Sequence, residues 1–145
     1  ARVSSLVGMF GGGSYFAENS SKSNQYIPGP EAQPTPLGNP YQMLLCRVLL
    51  GDIHICHKYD QDKYRGTAEM FQRGHAVRRP PNKPSTRGGL SGDVYDSVMG
   101  EKDSYGAKAK RGQRALKYRE FIVYDDDQIY PEYQVWFNRS TDRPM

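Results

Sequence analysis

Gly8-Met9-Phe10-Gly11-Gly12-Gly13-Ser14-Tyr15-Phe16-Ala17-Glu18-Asn19-Ser20-Ser21-Lys22-Ser23-Asn24-Gln25-Tyr26 is the densest run of chemistry in this chain of 145 residues. Three consecutive glycines let the backbone turn sharply and approach a ligand, because no Cβ stands in the way. Ser14 to Ala17 then reads as a short strand. Asn19, Ser20 and Ser21 carry side-chain oxygens suited to capping a helix, and a short helix is expected over 19–27. Ser23 and Tyr26 stand at i and i+3 and would share one face of it. With Tyr15 at the strand end, two aromatic rings and a hydroxyl surround a glycine turn, a setting that suits a flat ring bearing a polar amide. On spacing alone, aromatics beside glycines are more often core packing.

Working outward, Ala1 to Val7 reads as a loop entering that turn. Residues 28–41 carry five prolines and two glycines and predict an extended surface loop. Gln42 to Leu50 is apolar nearly throughout and predicts a central strand stopped by Gly51-Asp52, with a weaker strand at Ile53 and Ile55. Residues 58–117 are loop-rich, with one helical turn at Thr67 to Gln72 and a basic loop at 101–115. Tyr118 to Tyr124 predicts a strand, Asp125-Asp126-Asp127 a turn, and Gln128 to Tyr130 a short strand. Pro131 suits an edge or bulge, Glu132 to Asn138 a final strand, and 139–145 a frayed tail.

Composition limits the alternatives. Hydrophobic residues make up 37% and charged residues 25% of the chain, and glycine plus proline account for 25 of the 145 positions. This is the composition of one turn-rich soluble domain with a modest core. No apolar stretch reaches the roughly 18 residues of a membrane span, and ARVSSLVGMFGGG lacks the charged start and long apolar run of a secretory signal. The two cysteines, Cys46 and Cys56, read as buried thiols of a reducing compartment, so the expected location is intracellular. His54, Cys56 and His57 match no standard zinc spacing, and no metal site is expected. Adjacent aspartates at 125–127 are ordinary for a solvated turn. The formal net charge of +4 is uneven: residues 58–118 hold 14 Lys+Arg against 7 Asp+Glu. Such a stretch could touch nucleic acid, but it lacks the interleaved aromatics of a strand-binding surface and reads better as a solvated loop.

Three blocks, in order, carry a resemblance. GMFGGGSYFAENSSKSNQY closely resembles the nicotinamide-pocket segment of the poly(ADP-ribose) polymerase family, and its wording is nearest the tankyrase branch. QMLLCRVLLGD at 42–52 looks like the family's central strand, and YREFIVYDDDQIYPEYQVWF at 118–137 matches near the C-terminus. The resemblance spans nearly the whole chain, loosely between 58 and 92, and DVYDSVMG at 93–100 resembles a short family segment in which an exposed turn packs back over the sheet. It implies an α+β, ADP-ribosyltransferase-like fold of two packed, mainly antiparallel sheets with a short helix beside a nicotinamide cleft. It implies NAD⁺ as co-substrate, and transfer of ADP-ribose to protein acceptors, with extension into polymer as a further expectation.

Residue by residue, Glu120 falls on the family's catalytic glutamate and Tyr15 on the tyrosine of its His-Tyr-Glu set. Tyr26 falls on the second stacking tyrosine and Ser23 on the serine that bonds the nicotinamide amide. Lys22 matches a pocket-rim lysine, and Met9 a hydrophobic residue on the acceptor side. Without the resemblance, Glu120 reads as an exposed edge carboxylate paired with Arg119 or Lys117. The tankyrase zinc site is not carried over, because its cysteines have no counterparts here. The family's first motif, a histidine followed by glycine, also has none: His54, His57 and His75 all follow Tyr15. The expectation is therefore a single partial domain over 1–145, lacking the domain's N-terminal part. It is either an enzyme completed by something else or a catalytically incomplete docking module in a larger assembly.

Overall fold

A computed structural model describes residues 8–27, 41–67, 70, 77–101 and 118–139. Eight strands and two short helices follow in order: β1 Ser14–Phe16, α1 Ser20–Asn24, β2 Tyr41–Val48, β3 Ile53–Cys56, α2 Gln61–Tyr64, β4 Asn82–Pro84, β5 Leu90–Val94, β6 Ser97–Gly100, β7 Glu120–Val123 and β8 Ile129–Phe137. The α+β expectation holds. The strands form a four-stranded sheet in the order β1-β7-β6-β3 and two two-stranded ladders, β2-β8 and β4-β5. All described pairings are antiparallel except β3 with β6.

Register decides which side chains meet. Tyr15 lies opposite Ile122, Ile122 opposite Val98, and Val98 opposite His54. Directly opposed residues point to the same side of a sheet, so these four form one row. Two residues along, Glu120, Gly100 and Cys56 form the next row on that same side. The core gathers there: Phe10, Cys56, Tyr64, Val98 and Ile122 are buried together, with Met9, Tyr15, Tyr59 and Tyr124 packed against them. Phe10 meets Tyr59 and Tyr64 edge to face, at ring-centroid distances of 5.7 and 5.3 Å.

The glycine turn brings Phe10 into this core. Gly11 adopts φ +80°, and its N–H bonds to the Gly8 carbonyl at 3.1 Å. The Gly12 N–H reaches the Val77 carbonyl at 2.8 Å. Three successive carbonyls of the turn then accept phenolic hydrogens: Met9 from Tyr59 (2.8 Å), Phe10 from Tyr124 (2.7 Å) and Gly11 from Tyr15 (2.8 Å). Burial, followed by the Tyr15 and Tyr64 charges, pushes the Tyr124 phenol well above its ordinary range, so it remains a donor.

Several expectations change. The apolar run 42–50 is not a central strand: among the described residues β2 pairs only with β8, leaving Leu44 and Leu45 exposed. An apolar run of that length reports a side-chain preference and not what covers it. Cys46 is half-buried, whereas Cys56 is the buried thiol. Asp93 to Gly100 is not an exposed turn but supplies β6, with Ser97, Val98 and Gly100 buried. The two strands expected within Gln128 to Asn138 are one strand, β8 at Ile129–Phe137. Its register slips where Leu45 faces Tyr133 and Cys46 faces Pro131, leaving Glu132 as the extra residue, so the bulge falls beside Pro131. Tyr118–Tyr124 contains β7 as expected, but Glu120 lies inside the sheet between β1 and β6. The 101–115 loop, apart from Glu101, and the tail beyond Arg139 lie outside the described residues, as does most of Thr67 to Gln72.

Two outcomes follow. Gly11→Ala places a Cβ against the carbonyl oxygens of Val77 and Tyr64 at a positive φ. It should cost about 2–4 kcal/mol of stability, read from urea unfolding. His54 accepts from or donates to the Tyr64 hydroxyl at 2.8 Å. Burial first, then the charges of Lys63 and His57, lower its pKa from 6.5 to about 4. A lowered value means the unfolded chain takes up this proton first, so the contribution is whole above pH 6.5 and drains away as pH falls toward 4. His54→Asn should flatten the loss of melting temperature across that window.

Candidate active site

The strand β7 is rich in aromatic and β-branched residues, Phe121, Ile122 and Val123, which favour a pleated, covered position. Its first residue, Glu120, is carried inward with them and is 5% exposed. A carboxylate this buried needs a partner. Lys22 of α1 supplies one, Nζ to Oε1 at 2.8 Å, and its own side chain is 13% exposed. The Tyr26 hydroxyl donates to the same Oε1 at 3.5 Å. Arg119, next in the chain, pairs instead with Glu18 and Glu101, each at 3.7 Å. The edge reading of Glu120 is thus replaced: alternation along the strand sends Arg119 to the opposite side from its neighbour.

The helix that brings Lys22 is only five residues long and has no buried member. Asn19 caps it, accepting from the Ser21 N–H at 2.9 Å. Lys22 Nζ lies 5.1 Å from the centroid of the Tyr26 ring, whose residue is 46% exposed. Burial pulls the Lys22 ammonium down, but hydrogen bonds to Glu120 and Tyr26 and the charge of Glu120 outweigh it, and the net shift is upward. Lys22 is therefore a fixed cation at neutral pH. Ser23 is half-buried, one turn before Tyr26, whose N–H bonds to the Ser23 carbonyl at 3.1 Å.

Tyr15 stands on the same side of the sheet as Glu120. Its hydroxyl is used within the turn, accepting from the Phe10 N–H at 2.9 Å while donating to Gly11. What Tyr15 can offer a ligand is its ring. Gly100 lies directly opposite Glu120 and places no side chain beside the carboxylate. Lys22 and Tyr26 both engage Oε1, so among the described residues Oε2 is the oxygen left for a ligand hydroxyl. Met9 packs on the core beside this wall, with its carbonyl held by Tyr59.

The structure thus joins Lys22, Tyr26 and Glu120 directly, with Tyr15 on the same sheet face and Ser23 within the same helix. Sequence reasoning missed Tyr59, Tyr124 and Arg139, which shape the turn and the helix. Tyr59 stands in a polar stretch and Tyr124 ends the apolar run of β7, and neither setting says which carbonyl its hydroxyl will meet. Among the described residues no three His, Cys, Asp or Glu side chains gather as metal ligands would. His54 is occupied by Tyr64, and Asp125 caps a single 3-10 turn, Asp126–Gln128, by accepting from the Asp127 N–H at 3.0 Å. No helix among the described residues is long and apolar enough to cross a membrane.

Comparison with known proteins gives this arrangement its context. The chain is 28% identical over 136 residues to poly [ADP-ribose] polymerase 1 of Danio rerio, covering 92% of this chain and 12% of that protein. It is 32% identical over 130 residues to poly [ADP-ribose] polymerase 2 of Zea mays, covering 90% and 18%. It is also 32% identical over 127 residues to poly [ADP-ribose] polymerase of Drosophila melanogaster, covering 86% and 11%. The chain therefore spans less than a fifth of the length of these relatives. The family profile of the poly(ADP-ribose) polymerase catalytic domain matches residues 2–138, from before the glycine turn to the end of the last strand, and the chain belongs to that family.

Proposed function

We propose that this chain carries the nicotinamide-side wall of an NAD⁺-dependent ADP-ribosyltransferase, which transfers ADP-ribose from NAD⁺ to protein acceptors. One observation carries the reading. Tyr26 and Glu120 lie 94 residues apart in sequence and meet at one carboxylate oxygen, with Lys22 on the same atom.

The chemistry asks for this grouping. Breaking the nicotinamide–ribose bond builds positive charge on the ribose, as in glycoside hydrolysis. A buried carboxylate fixed beside the ribose stabilises that charge, and in this reading Oε2 of Glu120 accepts from a ribose or acceptor hydroxyl. The rings of Tyr15 and Tyr26 hold the leaving nicotinamide, and Ser23 bonds its amide. A grip that is already formed contributes to the transition state and not to ground-state binding alone. Lys22 anchors Glu120 in the direction the reaction needs. Retention of a glutamate at 120 favours polymer formation over single transfer, since the same oxygen can orient an acceptor ribose. The wording of residues 8–26 favours the tankyrase branch, and an enzyme with free thiols and protein acceptors fits an intracellular site.

A second reading is a docking module of this family within a larger assembly. It is favoured by the β2-β8 ladder, where Leu45, Tyr133 and Val135 share one face and are 56%, 64% and 45% exposed. Apolar surface of that kind commonly marks an interaction site.

Labelled NAD⁺ separates the two. On the enzymatic reading the protein becomes labelled, and Glu120→Gln lowers transfer about 10²–10³-fold while nicotinamide still raises the melting temperature. Elongation should fall before and further than first attachment. Tyr26→Ala should instead weaken nicotinamide about 3–10-fold, the worth of one aromatic contact. No labelling, together with no melting shift by nicotinamide, would leave the docking role.

A further inference from the structure

Arg139 lies just beyond the end of β8, far in sequence from the glycine turn, yet it grips the helix that carries the proposed ring-holding residues. Its Nε donates to Asn24 Oδ1 at 3.0 Å. Its Nη2 donates to the Asn24 carbonyl at 3.0 Å and to the Ile27 carbonyl at 3.1 Å. The flat guanidinium rests on the Tyr41 ring, 4.1 Å from its centroid. Tyr41 is 1% exposed and packs on Phe137 across the β2-β8 ladder at 5.6 Å.

We propose that Arg139 is a positioning residue for the nicotinamide grip: it locks the C-terminal end of α1 and so sets where Ser23 and Tyr26 stand relative to Glu120. The inference rests on the reading of Ser23 and Tyr26 given above. The two residues whose carbonyls it holds, Asn24 and Ile27, directly follow Ser23 and Tyr26. A five-residue helix is unstable alone, and no residue of this one is fully buried. Its place must therefore come from polar anchors. Lys22 ties one side of it to β7. The carbonyls at a helix end lack partners within the helix, and a cation there satisfies them and complements the helix dipole. Arg139 does this with its donors while its face stays packed on a buried ring, so both ends of the connection are fixed.

An arginine is needed for this. Its planar fork donates in several directions and stacks at the same time, whereas a lysine ammonium has no flat face and one point of charge. Loss of hydrogen bonds made by a charged donor typically costs an order of magnitude in an equilibrium that depends on them.

The test compares the protein with its Arg139→Ala, Arg139→Lys and Asn24→Ala variants in two measurements: amide hydrogen exchange by segment, and nicotinamide binding with NAD⁺ kinetics. Arg139→Ala should speed exchange in 20–27 and leave 120–124 unchanged. The nicotinamide Kd and the KM for NAD⁺ should rise together by about tenfold, with a smaller change in kcat. Arg139→Lys should keep most of that loss, and Asn24→Ala, which removes one acceptor, should show part of it. Unchanged exchange in 20–27 overturns the inference, as does faster exchange spread evenly over the protein. Faster exchange in 20–27 with unaltered nicotinamide binding also overturns it. Should the unaltered protein bind no nicotinamide, the functional reading falls by itself. Local loosening of 20–27 would then still support the clamp on α1, and its absence would remove the clamp too. If Arg139→Ala does not fold, the Lys and Asn24 variants give the same decision.

Discussion

Three backbone carbonyls in a row, at Met9, Phe10 and Gly11, are held by three phenols that come from distant parts of the chain. A carbonyl taken out of water without a partner is costly, so the glycine turn can close only where these hydroxyls are waiting. Tyr15 comes from the first strand, Tyr59 from the loop after β3, and Tyr124 from the end of β7. The turn is therefore a product of the assembled sheet. It in turn drives Phe10 into the core, where that ring is fully buried against Tyr59 and Tyr64. It also sets the start of β1, and with it the register that places Tyr15 opposite Ile122 and on the same side as Glu120. Turn, core and proposed catalytic wall share one set of hydrogen bonds.

What could be read in advance was local or carried by resemblance. The Asn19 cap, β1, β7 and the bulge by Pro131 each follow from a few adjacent residues, and each is present; the helix expected over 19–27 is shorter, Ser20–Asn24, and leaves Tyr26 in the turn that follows. That Lys22, Tyr26 and Glu120 belong to one site was implied by matching motifs, but nothing in motif or spacing said that Lys22 and Tyr26 meet one oxygen of Glu120. The failures share a cause. An apolar run at 42–50 says that its side chains tolerate burial, but β2 meets only β8 among the described residues and shows Leu44 and Leu45 to solvent. Asp93 to Gly100 looked polar and turn-like, yet β6 runs between β7 and β3, because its neighbours, and not its composition, decide its burial. Tyr59, Tyr124 and Arg139 were invisible because a phenol or a guanidinium in a polar stretch gives no sign of which carbonyl it will meet.

The Lys22–Glu120 pair is poorly explained as a source of stability. Removing both charges from water is expensive, and a well-packed apolar pair of similar size commonly serves a fold as well or better. What an apolar pair cannot do is aim a carboxylate. Lys22 takes one oxygen of Glu120, and Tyr26 leans on the same oxygen, which fixes the orientation of the other. A cation so close to Glu120 also opposes the stabilisation of positive charge on a substrate. The proposed reaction therefore requires the developing charge to lie nearer Oε2 than Lys22 does, and single-sided engagement of Oε1 meets that condition.

The two walls of this site differ in how they are held. Glu120 lies on an interior strand, paired on both sides by β1 and β6, beside fully buried Ile122 and Val98. The opposing wall is a single turn of helix with no fully buried residue, kept in place by charge at two points, Lys22 and Arg139. Packing resists displacement in every direction, whereas a few hydrogen bonds resist it only along their own lines and can be exchanged one at a time. In the proposed reaction this division has a use: the carboxylate that must meet charge at a defined point stands on the packed element, and Tyr26, whose ring needs only to lie flat on a ligand, follows the element held by polar anchors.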